Sequence, residues 1–254
     1  MRGWLLAAVV TVACQAGCQS DIDQVDSAYS RPDEHRAMHC SIDIDAVTRN
    51  DDASIDGGLD RARDRGEILE LFAHDPGATI SWDTVEHLLA GAQARGLNFV
   101  TYADLANGTA PPGGGLAFAF DDDHVAAWMD GEAMFAQYGA RLTFFLTRYA
   151  RLQPEQKADM AQLAADGHDL EPHSVKHLRG PEYVDDFGLA AYLGDEVQPS
   201  LDVLEDDGYT LTTYAYPFGA RTDETDRAIL ARGVTQLRSV ALTWGAPAEA
   251  PCPL

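Results

Sequence analysis

Two histidines four residues apart, His173 and His177, and a run of three aspartates, Asp121-Asp122-Asp123, are the side chains in this 254-residue chain best suited to hold a metal ion. On a helical turn, residues at i and i+4 point the same way, so both imidazoles could share one ion. Two histidines and one carboxylate make a ligand set for zinc or a similar divalent cation, with coordination positions left open. Each half of the set is weak alone. Histidines fall at this spacing by chance, and acidic runs are common in solvated loops. An aspartate triplet placed directly after an apolar run, residues 116–120, is less common. Ser174 lies between the histidines, but no G-x-S-x-G elbow marks it as a nucleophile.

The elements that must carry these residues alternate. Helical spacing is read over 55–65, 84–95, 132–138, 154–166, 192–207 and 222–232, with Gly167, Gly208 and Gly233 closing the last three of these. Short apolar runs over 68–72, 98–102, 116–120, 141–146 and 210–216 read as strands. Strand–helix alternation means an α/β fold with a mainly parallel sheet, and seven or eight units in this length suggest a barrel. In such a barrel the residues that follow each strand share one rim, where active sites are built. That rim would collect Asp121-Asp122-Asp123, the His173–His177 segment, Pro217-Phe218-Gly219 and His74-Asp75-Pro76-Gly77.

A net charge of −23 argues against nucleic acid as a partner and against docking on anionic lipid, while leaving a neutral or cationic glycan open. Arg2 followed by an apolar stretch over 4–13 reads as an export signal, too short to span a bilayer comfortably. Gln15-Ala16-Gly17-Cys18 resembles a bacterial lipoprotein cleavage box, with Cys14 as the alternative processing site and simple secretion as the alternative fate. The expected layout is a leader over 1–18, an acidic tether over 19–40 and one domain over 41–254. Membrane contact is expected only through a lipid on the N-terminus. The chain is expected outside the cytoplasm, in the cell envelope or the periplasmic or extracellular space.

Taken together, Phe120-Asp121-Asp122, the Glu171-Pro172-His173-Ser174-Val175-Lys176-His177 segment and Tyr216-Pro217-Phe218-Gly219 resemble the NodB-homology polysaccharide deacetylases, carbohydrate esterase family four. The resemblance spans 116 to about 240, in the expected order. It implies a distorted (β/α) barrel and a metal-dependent hydrolase that removes N-acetyl groups from an acetylated polysaccharide. By resemblance, Asp121 is the general base, and Asp122, His173 and His177 hold the ion, with Zn2+ as the default. The Pro217-Phe218-Gly219 loop lines the acetyl pocket, and the Phe218 N–H faces the oxyanion.

The family's closing motif, a strand ending in a histidine that acts as the general acid, is missing from the end of the chain. A segment like it stands at the front, over 57–75, with His74 as the acid. This order resembles the circularly permuted branch that includes poly-N-acetylglucosamine deacetylases. In that branch Cys40 and Cys252 flank one junction, which implies a disulfide between them. Asp43 or Asp45 would match an aspartate that tunes His74. Two positions depart from the family. Asp123 replaces a glycine, and Ala215 stands where many members carry an arginine that orients the base. Two other readings remain open: a sugar O-acetyl esterase using the same site, or a glycan-binding lipoprotein without turnover. Trp82, Trp128 and Trp244 offer faces for sugar stacking, although buried tryptophans are commoner. His35, His39, His87, His124 and His168 read as surface or structural residues.

Overall fold

The structure is a computed structural model that describes residues 21–48, 50–241 and 252. Nine strands are present among them: β1 Tyr29–Ser30, β2 Met38–Asp43, β3 Ile68–Ala73, β4 Asn98–Phe99, β5 Gly115–Asp122, β6 Thr143–Leu146, β7 Asp169–Pro172, β8 Thr213–Ala215 and β9 Gln236–Val240. Ten α-helical segments accompany them: α1 Asp52–Arg65, α2 Trp82–Ala94, α3 Tyr102–Asn107, α4 Val125–Asp130, α5 Glu132–Tyr138, α6 Pro154–Ala165, α7 Gly180–Phe187, α8 Leu189–Tyr192, α9 Gln198–Asp206 and α10 Asp223–Leu230. The longer helices start where capping chemistry dictates. Asp51 accepts the Ser54 N–H ahead of α1, Ser81 accepts the Thr84 N–H ahead of α2, and Thr101 and Asp104 cap α3 reciprocally.

Seven strands run in parallel in the order β7-β6-β5-β3-β2-β9-β8. The two edge strands, β7 and β8, lie side by side without a ladder, so the sheet is a barrel closed except at one seam. β3 and β5 are buried along their length, as parallel strands covered on both faces must be. Around the barrel the strands follow chain order, and the seam between chain ends falls where β2 pairs with β9, from Met38↔Leu237 to Ser41↔Val240. This adjacency is what a circular permutation requires. Cys40 on β2 is disulfide-bonded to Cys252, with the Cα atoms 6.1 Å apart, and this ties the C-terminal end back onto the first barrel strand.

Several expectations are corrected. The described part of the 19–40 segment is not a tether. Ile22, Val25, Ala28 and Tyr29 are buried, β1 pairs antiparallel with β3, and the Arg61 guanidinium lies 3.7 Å from the Tyr29 ring. Gly58 permits this docking, since a Cβ there would fall 2.5 Å from Ile22. Apolar residues sparsely set among acids were enough to pack against α1. The leader and the possible lipidation cysteines lie outside the described residues, as does Trp244. The helix expected over 192–207 is interrupted by a wide π-turn, Leu193–Val197, between α8 and α9. The strand expected over 98–102 stops at Phe99, and Thr101 caps a helix.

The floor of the barrel is polar. His39 Nδ1 lies 2.8 Å from Glu70, Tyr102 donates to the other Glu70 oxygen, and Gln236 donates to the Tyr102 carbonyl at 2.7 Å. Glu171 is fully buried, and burial together with the Asp169 charge raises its pKa; it accepts from Thr212. Above this floor Phe72, Phe145, Ala215 and Val240 fill the interior beneath the C-terminal rim. Among the described residues no helix is long and apolar enough to cross a membrane.

Candidate active site

β5 ends in Asp121 and Asp122, and the two carboxylates diverge. Asp121 is 2% exposed and both of its oxygens accept from the Arg238 guanidinium on β9. Arg238 is itself buried, with Phe72 and Phe145 rings each 4.7 Å from its Cζ, so the pair is shielded from water. A buried ion pair of this kind is costly to break from one side. Asp122 adopts φ 87°, a left-handed conformation that aspartate tolerates better than most residues. The tolerant turn falls on Asp122 and not on Asp123, whose carboxylate pairs with Arg148 at 3.3 Å.

The His173–His177 segment is not a helical turn. Ser174 (φ 66°) and His177 (φ 61°) are both left-handed, and the loop bends so that the two rings still meet, with centroids 4.9 Å apart. His173 donates its Nδ1–H to the Ala215 carbonyl at 2.9 Å. A carbonyl can only accept, so the Nε2 lone pair is left facing Asp121, 3.8 Å away. His177 Nε2 is 3.4 Å from Asp122 Oδ1. Burial lowers the His173 pKa to about 4 and also lowers that of His177, against the pull of the aspartates. Both rings are therefore neutral donors at neutral pH.

One ligand atom from each of Asp122, His173 and His177 lies within 4.8 Å of the others. Asp122 Oδ1 is buried and has no hydrogen-bond partner. An orphaned carboxylate oxygen beside two neutral imidazoles is the donor set a divalent cation requires. The three residues fit the ion that the sequence led us to expect.

His74 follows β3 on the same rim. Its Nδ1 lies 2.6 Å from Asp45 Oδ2, while Asp45 Oδ1 accepts the His74 N–H at 3.3 Å and the Thr79 hydroxyl at 2.8 Å. Asp45, not Asp43, is therefore the aspartate that engages His74. Burial alone would lower the His74 pKa, but the Asp45 hydrogen bond and the charges of Asp121, Asp45 and Asp43 outweigh it and raise it to about 9. The His74 charge in turn lowers the pKa values of Asp122 and His177. Trp128 is fully buried and donates its indole N–H to the His74 carbonyl at 3.0 Å, so it serves the loop and not a sugar ring. Trp82 packs on Phe135. His168 is structural, accepting the Leu142 N–H. His124 lies nearer the centre than its sequence context suggested, 3.3 Å from Asp75 and 3.9 Å from Asp122.

The Pro217-Phe218-Gly219 turn carries two left-handed residues, Phe218 (φ 59°) and Gly219 (φ 66°). A Cβ on Gly219 would fall 2.8 Å from Val240 N, so only glycine fits. Ser239 donates to the Gly219 carbonyl at 2.8 Å and anchors the turn to β9. Phe218 is half-exposed and rests against His177, ring centroids 4.5 Å apart. The structure thus gathers Asp121, Asp122, His173, His177, His74 and the Pro217-Phe218-Gly219 turn onto one rim. Sequence reading missed Arg238. An isolated arginine in the short run Gln236–Val240, close before the chain's end, was the available signal.

The sequence model of the polysaccharide deacetylase family matches residues 109–237, just over half of the chain. His74 and Asp45 lie outside the match, as a segment moved to the front would. No curated protein sequence matches the chain. Among solved structures, the chain is similar to IcaB from Ammonifex degensii, at 17% identity and a TM-score of 0.56, over 72% of this chain and 88% of that one. The deacetylase domain of BpsB from Bordetella bronchiseptica aligns at 16% identity and a TM-score of 0.47, over 65% and 86%. The deacetylase PplD from Streptococcus pyogenes aligns at 18% and 0.41, over 84% and 93%.

Proposed function

Because the chain belongs to the polysaccharide deacetylase family, we propose that it is a metal-dependent hydrolase that removes N-acetyl groups from amino sugars of an exported polysaccharide. Asp122, His173 and His177 hold the divalent ion, with Zn2+ the default for this donor set. A divalent ion held there would supply Lewis-acid polarisation of the amide carbonyl and a lower pKa for the attacking water. Asp121 takes the water proton, with Arg238 keeping its carboxylate oriented. The Phe218 N–H turns toward the developing oxyanion. His74 delivers a proton to the departing nitrogen.

The observation that carries the reading is the orphaned Asp122 Oδ1 beside two neutral imidazoles, with a protonated His74 across from it. His74 also favours amide over ester. A departing amine must be protonated for the C–N bond to break, whereas an alkoxide depends less on an acid, and a histidine raised to about 9 stays protonated at neutral pH. Export is supported by the leader-like residues 1–18 and by the Cys40–Cys252 bond, which an oxidising compartment permits. A lipid on Cys18 would keep the enzyme at the envelope, near a polymer such as poly-N-acetylglucosamine.

The test is acetate release from acetylated glucosamine oligomers, with and without a chelator, for the wild type and Asp121→Asn. Release that requires both metal and Asp121 supports the proposal. Bound metal with no release from any oligomer would redirect it to an O-acetyl ester. Neither metal nor release would leave a glycan-binding protein.

A further inference from the structure

Glu196 is fully buried, belongs to no part of the chemistry described above, and sits in the π-turn between α8 and α9. Pro199 accounts for the turn. It lacks the N–H a regular helix would use there, and its ring clashes with the carbonyl one turn back, so the backbone widens. π-turns of this kind recur at functional positions. Here the widened turn meets the loop between the two histidines. The Glu196 carbonyl accepts the Val175 N–H at 3.2 Å, and Glu196 Oε2 accepts the Lys176 N–H at 2.8 Å. Glu196 Oε1 lies 3.1 Å from the Lys176 ammonium. The next N–H, that of His177, is taken by Ser174 Oγ at 3.0 Å.

We propose that Glu196 is a positioning residue for the metal site: it clamps Val175 and Lys176 and so sets the spacing of His173 and His177. The need for a clamp is visible in the backbone. The loop holds two non-glycine residues in left-handed conformations, and such a turn relaxes unless its surroundings over-determine it. Glu196 touches neither imidazole. It acts through two backbone N–H groups, and its contribution is to hold the histidines pre-arranged for the ion. This rests on the reading of Asp122, His173 and His177 as metal ligands.

The experiment compares Zn2+ affinity, by competition with a chromophoric chelator, and the visible spectrum of the Co2+ form, in the wild type, Glu196→Ala, Glu196→Asp and Glu196→Gln. Glu196→Ala should bind Zn2+ about 10–100-fold more weakly, the usual cost of losing an outer support of a metal site, with an altered Co2+ spectrum. Glu196→Gln keeps an oxygen for the Lys176 N–H and should stay close to wild type. Should Glu196→Ala fail to fold, Glu196→Asp gives the same readout, since it keeps the charge but falls short of the loop. Wild-type Zn2+ affinity and Co2+ spectrum in Glu196→Ala or Glu196→Asp would overturn the proposal, even if metal-free stability fell. A wild-type protein that binds neither ion would instead overturn the metal-site reading itself.

Discussion

Replacing Asp45 with asparagine should move the alkaline limit of catalysis. Asp45 is 4% exposed and its carboxylate holds His74, whose side chain is 24% exposed. In the folded protein His74 is raised from 6.5 to about 9 despite burial, chiefly through its Asp45 hydrogen bond. At about 1.4 kcal/mol per pH unit, that difference corresponds to about 3 kcal/mol favouring the protonated ring. Asparagine keeps the shape and removes the charge, so burial pulls His74 down from about 9 toward its ordinary value while the Asp121 and Asp43 charges still raise it. At pH 6 most of the acid is protonated in both proteins, and their kcat/KM values should be similar. At pH 8.5 roughly three quarters remain protonated in the wild type, whereas a full return to 6.5 would leave about 1%, so the gap is at most roughly 80-fold. The assay is kcat/KM for acetate release between pH 5.5 and 10 with the metal site saturated. A bound cation lowers both values, so the readout is the difference. The stability linkage has the same sign. A histidine raised above its unfolded value stabilises fully below pH 6.5 and loses that contribution as pH rises through about 9. The melting temperatures of the two proteins should therefore converge at high pH. An alkaline limb unmoved in Asp45→Asn would refute the assignment of His74 as the acid.

Arg238→Met should leave the buried Asp121 carboxyl without its guanidinium partner, lowering unfolding free energy by about 3–5 kcal/mol and acetate release by at least tenfold, as read by denaturant titration and steady-state kinetics. Gly219→Ala meets both a positive φ and the Val240 backbone, so the Phe218 turn must shift; activity should fall while Zn2+ affinity, measured by competition, is retained. Reducing the Cys40–Cys252 bond, or replacing both residues by serine, should cost about 2–5 kcal/mol of stability, because the bond closes a loop of more than 200 residues. In metal-free protein His173 is lowered from 6.5 to about 4, so its contribution is present above pH 6.5 and lost as pH falls toward about 4; His173→Gln should flatten the acid side of the melting profile.

Most of the site was legible because its residue types are chemically unusual at strand ends. An aspartate run after the apolar 116–120 stretch, a histidine pair, and a proline–aromatic–glycine turn each interrupt an ordinary pattern. The helices with caps and closing glycines were legible for local reasons as well. β2 and β9 were not. Their inward positions carry His39, Ser41, Gln236 and Arg238, which bond to other polar groups or to the site inside the barrel, and such residues erase the apolar run that marks a buried strand.

The sequence by itself therefore determined the alternating architecture, through residue identity and short spacing, and its resemblance to the deacetylases pointed to the candidate ligands and to the histidine at the front. Tertiary structure alone decided the rest. It supplied Arg238 to Asp121 from a strand 117 residues away, chose Asp45 over Asp43 as the partner of His74, bent the histidine loop out of helical geometry, and folded the acidic N-terminal arm onto α1. Those outcomes depend on which strands become neighbours and on which polar groups find partners in a closed barrel. Neither is a property of any local stretch of chain.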